Sequence, residues 1–147
     1  MGEASENPGM VLTNDAWCFV CGQDNPIGLR LRWRLDPDGL ARAEFRPGRQ
    51  HQGWRGVVHG GILASLLDEA MAQRLRFSGA HAVTASLTVR YRRPAPTSGL
   101  LIAEARLVAE RSRAYVLEAC VRGEDGAPYA EGKGTCVRVT HPRKTGS

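Results

Sequence analysis

Leu29, Leu31, Trp33 and Leu35 alternate with Arg30, Arg32, Arg34 and Asp36. That period of two predicts a half-buried strand. Asp36-Pro37-Asp38-Gly39 reads as a turn, and a second strand over Leu40 to Arg46 completes a hairpin. Residues 47–57, with Pro47, Gly48, Gly53 and Gly56, read as irregular. The period then changes. From His59 onward Ile62, Leu63, Leu66, Leu67, Ala70, Met71 and Leu75 recur at three and four, the stripe of an amphipathic helix. Ser78-Gly79 ends it. Period two returns as Val83, Ala85, Leu87, Val89 and Tyr91 against Thr84, Ser86, Thr88, Arg90 and Arg92, which places Thr84 on the polar face by parity. After the loop at 94–99, three further strands are predicted at 100–108, 114–121 and 129–139. Glu124-Asp125-Gly126 turns the last hairpin.

Two strands, one long helix and four strands predict an α+β chain: an antiparallel six-stranded sheet with one helix on one face. One helix is meagre cover for six strands, so subunits are expected to pair. The 147 residues divide into a flexible arm at 1–16, a single domain at 17–140 and a flexible tail at 141–147.

Composition narrows the class. Hydrophobic residues make up 42%, too many for a disordered chain. No apolar run approaches the ~18 residues a membrane span needs, so no membrane partner is expected. The polar, acidic N-terminus is not a signal peptide. Glu6 stands where a myristoylation pattern needs Ser or Thr. The expected location is the cytoplasm. The net charge of +5 comes from scattered arginines with no zinc-finger or RNP pattern, so nucleic acid is not expected as a partner. A positive field also suits small anions such as phosphates. Cys18 and Cys21 form a lone CxxC, and Cys120 and Cys136 are too widely spaced to make a second pair. A loop rather than a helix follows the CxxC. The pair therefore reads as a structural turn, with neither a metal nor a redox cofactor expected.

Candidate chemistry centres on the start and middle of the helix. Gly60 and Gly61 lie where helix N–H groups lack intrahelical partners and the helix dipole is positive. With no side chain in the way, a ligand oxygen can reach those N–H groups, as an oxyanion hole requires. Asp68 and Glu69 are the only acids between Glu44 and Glu104, a window that holds eight arginines. Adjacent helical residues point about 100° apart. Asp68 falls beside Ala64, Ser65 and Ala72, a small-residue flank that leaves room for a substrate. Gly60 and Asp68 are roughly 12 Å apart along one helix, whereas reacting groups converge to about 3–3.5 Å. If both act, antiparallel helices of two subunits must share the site.

His59-Gly60-Gly61 followed by Asp68 resembles the hotdog-fold thioesterases of the phenylacetate-pathway and acyl-CoA thioesterase type. Gln52-Gly53-Trp54 before Gly56, Leu67-Asp68-Glu69-Ala70, Val83-Thr84 and Tyr91-Arg92-Arg93-Pro94 extend the likeness. Cys18 to Gly22 with Asn25 to Leu29 resembles the opening of one branch, so residues 17–139 are covered. The resemblance implies a hotdog fold, a sheet wrapped around one long helix, assembled as homodimers and often homotetramers. It implies hydrolysis of an acyl-CoA thioester to free acid and CoA, with coenzyme A present only as part of the substrate. Asp68 would be general base or nucleophile, and the Gly60 or Gly61 N–H would polarise the carbonyl. His59 would hold the loop, and Thr84 would position the water or the carboxylate. Gln52, Gly53 and Ser65 would line the substrate site. Arg90, Arg92 and Arg93 are candidates for the CoA phosphates, since a guanidinium fork suits phosphate. One departure stands out: several relatives carry Asn six residues before the His, where this chain has Gly53 after Gln52. That keeps open a non-catalytic acyl-thioester-binding protein. A hotdog dehydratase or hydratase fits less well, because His59 and Asp68 are two and a half turns apart.

Overall fold

The computed structural model describes residues 12–139. Residues 1–11, most of the expected arm, and residues 140–147, which contain the expected tail, lie outside the described residues. The long helix α1 spans Gly60–Phe77. It starts where the His59 side chain accepts a hydrogen bond from the Gly61 N–H, satisfying one donor that the helix cannot. Arg74 and Arg76 occupy its last turn, where cations suit the negative end of the dipole. Ser78 caps it, and Gly79 takes a left-handed φ of 76° that turns the chain away.

The strands are β1 (Arg34–Leu35), β2 (Ala41–Phe45), β3 (Ala82–Tyr91), β4 (Leu101–Glu110), β5 (Ala114–Gly123) and β6 (Pro128–Arg138). They form one antiparallel sheet in the order β1-β2-β4-β5-β6-β3. A short 3-10 turn, Arg49–His51, lies on the way from β2 to α1. The helix packs on β2 through β6. Ala41, Ala43, Ala103, Ala105, Ala119 and Ala130 are buried on the strands, while Leu63, Leu66, Leu67 and Met71 are buried on the helix. Phe45, Leu101, Leu117 and Val121 fill the core from the strands as well, and the alanines between them let the helix approach closely. Register shifts at Thr84/Ser86, Leu107/Ala109 and Val121/Arg122 interrupt the ladders, and such bulges bend a strand. No helix among the described residues is long and apolar enough to cross a membrane.

One expected strand is corrected. Only Arg34–Leu35 of the alternating stretch joins the sheet. Arg30 has φ 56°, which breaks an extended chain. The Leu29 and Leu31 N–H groups donate to the Phe19 and Val20 carbonyls at 2.8 and 2.9 Å. Their hydrogen bonds thus go to the cysteine-bearing turn rather than to β2. The burial alternation holds at its start without the ladder, with Leu31 buried and Arg30 and Arg32 exposed, and is lost at Leu35, which is exposed.

Packing under β6 yields the first prediction. A Cβ on Gly134 would fall 2.4 Å from Met71 Cε and 2.7 Å from its sulfur, whereas one on Gly132 meets its nearest atom at 3.4 Å. Gly134→Ala should lower unfolding free energy by about 1–3 kcal/mol. Gly132→Ala should change it by less than about 1 kcal/mol. Urea denaturation of both would check this, and equal effects would contradict the tight helix–sheet approach.

Candidate active site

His59 organises the helix entrance. Its Nδ1 accepts the Gly61 N–H at 2.8 Å, so the Gly61 amide is already engaged. The Gly60 N–H has no acceptor among the described residues. Of the two glycine donors expected from the sequence, Gly60 is the one left for a ligand. The Gly60 carbonyl accepts the Tyr91 hydroxyl at 2.8 Å, anchoring the helix start to the end of β3. A Cβ on Gly60 would stand 3.3 Å from that hydroxyl.

Two turns on, Asp68 is half-buried, and its Oδ1 accepts the Thr84 hydroxyl at 2.7 Å. This corrects the expected orientation of Thr84. Thr84 pairs with Cys136 and Ser86 with Thr135, which leaves Ala85 as an extra residue in β3. The bulge resets the parity, and Thr84 joins Leu87, Val89 and Tyr91 on the helix side. The Thr84 oxygen also lies 3.9 Å from the buried Cys136 sulfur. Burial pushes the Cys136 thiol up, the Thr84 hydrogen bond opposes this, and the Asp68 charge adds to it. A thiol so held stays neutral beside the carboxylate at ordinary pH.

The other expected residues are distributed as follows. Ser65 donates to the Gly61 carbonyl at 2.8 Å within its own helix. Gln52 accepts the Gly56 N–H at 3.3 Å, tying the preceding loop together. Gly53 faces His59, where a Cβ would meet His59 Cα at 3.2 Å and the ring at 3.3 Å. Gln52 is thus occupied, and Gly53 has packed against His59 in place of the relatives' Asn. Arg92 pairs with Glu131 at 2.7 Å. Arg93 lies 4.2 Å over the Tyr129 ring and donates to the Ala127 carbonyl. Arg90 and Arg92 line a trough on the outer face of the sheet with Glu104, Arg106 and Glu118. The structure brings Asp68, Thr84, Tyr91, Gly60 and His59 to one side of the sheet and leaves Arg90 and Arg92 on the other. Tyr91 is the site residue that the sequence reading passed over as a role. Its period-two match with Val89 placed it on the apolar face, and nothing in the pattern marked its hydroxyl.

A sheet wrapped around one helix, with a carboxylate on the helix and an amide at its start, defines the hotdog class. The family model of the thioesterase superfamily matches residues 55–130, the stretch that holds His59, Gly60, Asp68, Thr84 and Tyr91. The chain belongs to that superfamily. It is 28% identical over 128 residues to the acyl-coenzyme A thioesterase THEM4 of Bos taurus, covering 86% of this chain and 53% of that one. The match spans 53%, 66% and 39% of the lengths of three curated relatives. The crystal structure of a thioesterase superfamily protein superposes with a TM-score of 0.79 at 28% identity, covering 83% of this chain and 60% of that chain. A mutant of the phenylacetic acid degradation protein PaaI from Thermus thermophilus gives 0.68 at 30% identity, covering 76% and 95%.

His51 supports the site from below. Its Nδ1 accepts the Gly48 N–H at 2.9 Å, and its carbonyl accepts the His59 N–H at 2.8 Å. Burial holds its pKa below the ordinary 6.5, so the unfolded chain takes up this proton first as pH falls. The stability due to neutral His51 is fully present above about pH 6.5 and is lost as pH falls through the lower folded value. Unfolding free energies from about pH 7.5 to 5 should therefore decline more steeply in wild type than in His51→Gln. Parallel profiles would assign the decline to other groups.

Proposed function

We propose that the chain is an acyl-CoA thioesterase that hydrolyses an acyl-CoA to the free acid and CoA. The observation that carries this reading is Asp68, half-buried and held at 2.7 Å by a hydroxyl on β3. β3 is a terminal strand of the sheet and leaves one edge unpaired. Its Val83 and Tyr91 are 40% and 53% exposed. A long, partly apolar free edge invites pairing with another chain. We read it as the seam of a homodimer, two of which would stack into the tetramer that the resemblance implies.

Across such a seam the Gly60 N–H of one subunit faces Asp68 of the other, which removes the roughly 12 Å separation within one helix. The thioester carbonyl oxygen accepts from the Gly60 N–H, and the carbonyl carbon faces Asp68. As general base, Asp68 takes a proton from water, and the hydroxide adds to the carbonyl carbon. The oxyanion collapses, the C–S bond breaks, and the CoA thiolate takes up a proton. As nucleophile, Asp68 adds directly and expels the thiolate, and water then cleaves the mixed anhydride. Thr84 keeps the carboxylate in place on either route. The bovine relative, an acyl-coenzyme A thioesterase by name, supports CoA as the carrier. Arg90 is then the first candidate for a CoA phosphate, because Arg92 and Arg93 already have protein partners.

Thiol release from short, long and aromatic acyl-CoAs should occur with some member of the panel. It should fall about 10²-fold or more in Asp68→Asn, fall less in Thr84→Val, and persist in Thr84→Ser. Tight acyl-CoA binding without turnover would instead support the binding protein that Gly53 keeps in play. The shared site has its own test. His59 has ψ 134°, the conformation a following proline needs, and proline is tolerated at the first helical position. Gly60→Pro therefore deletes the N–H without a change of backbone, and the Tyr91 hydroxyl, 3.3 Å from the new Cβ, must give by a few tenths of an ångström. Gly60→Pro and Asp68→Ala should each be inactive alone. Subunits mixed by co-expression should recover about a quarter of wild-type activity, since half the dimers are mixed and half their sites intact. No recovery would place the site within one chain.

A further inference from the structure

The fold adds something to the CxxC that its sequence context does not contain. Sγ of Cys18, Sγ of Cys21 and a Glu69 carboxylate oxygen all lie within 4.8 Å of one another. Glu69 comes from α1, 51 residues beyond Cys18, and its two oxygens are 3.8 and 3.9 Å from the Cys18 sulfur. The turn is built to present both sulfurs. Cys21 donates its N–H to the Cys18 sulfur at 3.4 Å. A Cβ on Gly22 would fall 2.4 to 2.6 Å from backbone atoms of Cys18 and Ala16, so only glycine allows the chain to close so tightly.

A second set of groups orients the third donor. Gln73 is the one buried polar side chain among the described residues. Its Nε2 donates to Glu69 Oε1 at 2.8 Å and reaches the Cys21 sulfur at 3.6 Å. Arg76 in turn donates to the Gln73 carbonyl oxygen at 3.1 Å. A cleft lined by Cys21, Gly22, Trp33, Gln73 and Arg76 opens onto this corner and offers a way in.

We propose that Cys18, Cys21 and Glu69 bind one zinc ion, with a water in the fourth position facing the cleft. Zinc takes thiolate at about 2.3 Å and carboxylate oxygen at about 2.0–2.2 Å in a tetrahedral shell. Two such donors on one tetrahedral centre stand about 3.6 Å apart, close to the sulfur–oxygen separations here. Binding replaces the two thiol protons, which leave to water, and forms two Zn–S bonds and one Zn–O bond. Two thiolates and a carboxylate around a dication leave one net negative charge, which Arg76 offsets through Gln73. The reactive-disulfide reading is weaker. A disulfide would leave Glu69 and its hydrogen bond from Gln73 without a part. The zinc would staple the turn at 18–22 to α1, beside Asp68. This reading does not depend on the thioesterase activity.

The experiment uses the full chain, reduced, stripped with chelator and titrated with Co²⁺ and then Zn²⁺. One Co²⁺ per chain should bind with a near-ultraviolet thiolate-to-cobalt charge-transfer band, and one equivalent of Zn²⁺ should abolish that band. Zinc should protect Cys18 and Cys21 from alkylation, which requires no variant and so survives any folding defect. Cys18→Ser with Cys21→Ser should lose the band. Glu69→Gln and Gln73→Ala should weaken zinc binding about 10- to 100-fold. Absence of stoichiometric binding, a cobalt spectrum without the thiolate band, or affinity unchanged in Glu69→Gln would overturn the proposal.

Discussion

The structure depends on one constraint: a single helix must bury most of its surface inside a sheet that closes around it. Leu66, Leu67 and Met71 are fully buried, and Ala43, Ala103, Ala119 and Ala130 meet them from the strands. Large side chains on both partners would hold the sheet off and leave the core voided. Where the strands carry alanine or glycine the helix sits deep, and the strands bend to follow it. The bulges in β3, β4 and β6 supply that bend. One of them also makes the candidate site, because the extra residue at Ala85 delivers the Thr84 hydroxyl to Asp68.

The same burial sorts the two adjacent acids. Their side chains leave the helix about 100° apart, and the sheet covers neither direction fully. Asp68 faces the terminal strand and its hydroxyl. Glu69 faces the cysteine turn, which covers the part of the helix that the sheet leaves open. The segment before β1 is therefore a second wall rather than part of a strand, and its backbone hydrogen bonds to Phe19 and Val20 hold it there.

Much of this was legible before the structure. The change from period two to period three-and-four at His59 located α1, and turn residues at Asp36–Gly39 and Glu124–Gly126 marked two of the three hairpins. Asp68 and the Gly60-Gly61 pair stood out because carboxylates are scarce there and helix starts carry open donors. What was not legible has a common cause. Period counting assumes an uninterrupted ladder, so it misplaced Thr84 across a bulge and read 29–36 as a strand although Arg30 turns left-handed. Local reading also cannot see partners distant in sequence. The lone CxxC lacked a third donor only until α1 placed Glu69 beside it.

The arrangement of charge follows from the same geometry. A guanidinium beside a carboxylate favours the ionised form and makes it a poorer base. This chain carries a net charge of +5, so the arginines need somewhere to go. Arg42 pairs with Glu104, Arg92 with Glu131 and Arg106 with Glu118. Glu104, Arg106, Glu118, Glu131 and Arg92 all line the outer trough of the sheet. The alternation of each strand puts these pairs on the face opposite the helix. Asp68, on the inner side, is held by a neutral hydroxyl whose neighbour is a neutral thiol. A carboxylate so placed keeps its orientation through Thr84, which suits the role proposed for it.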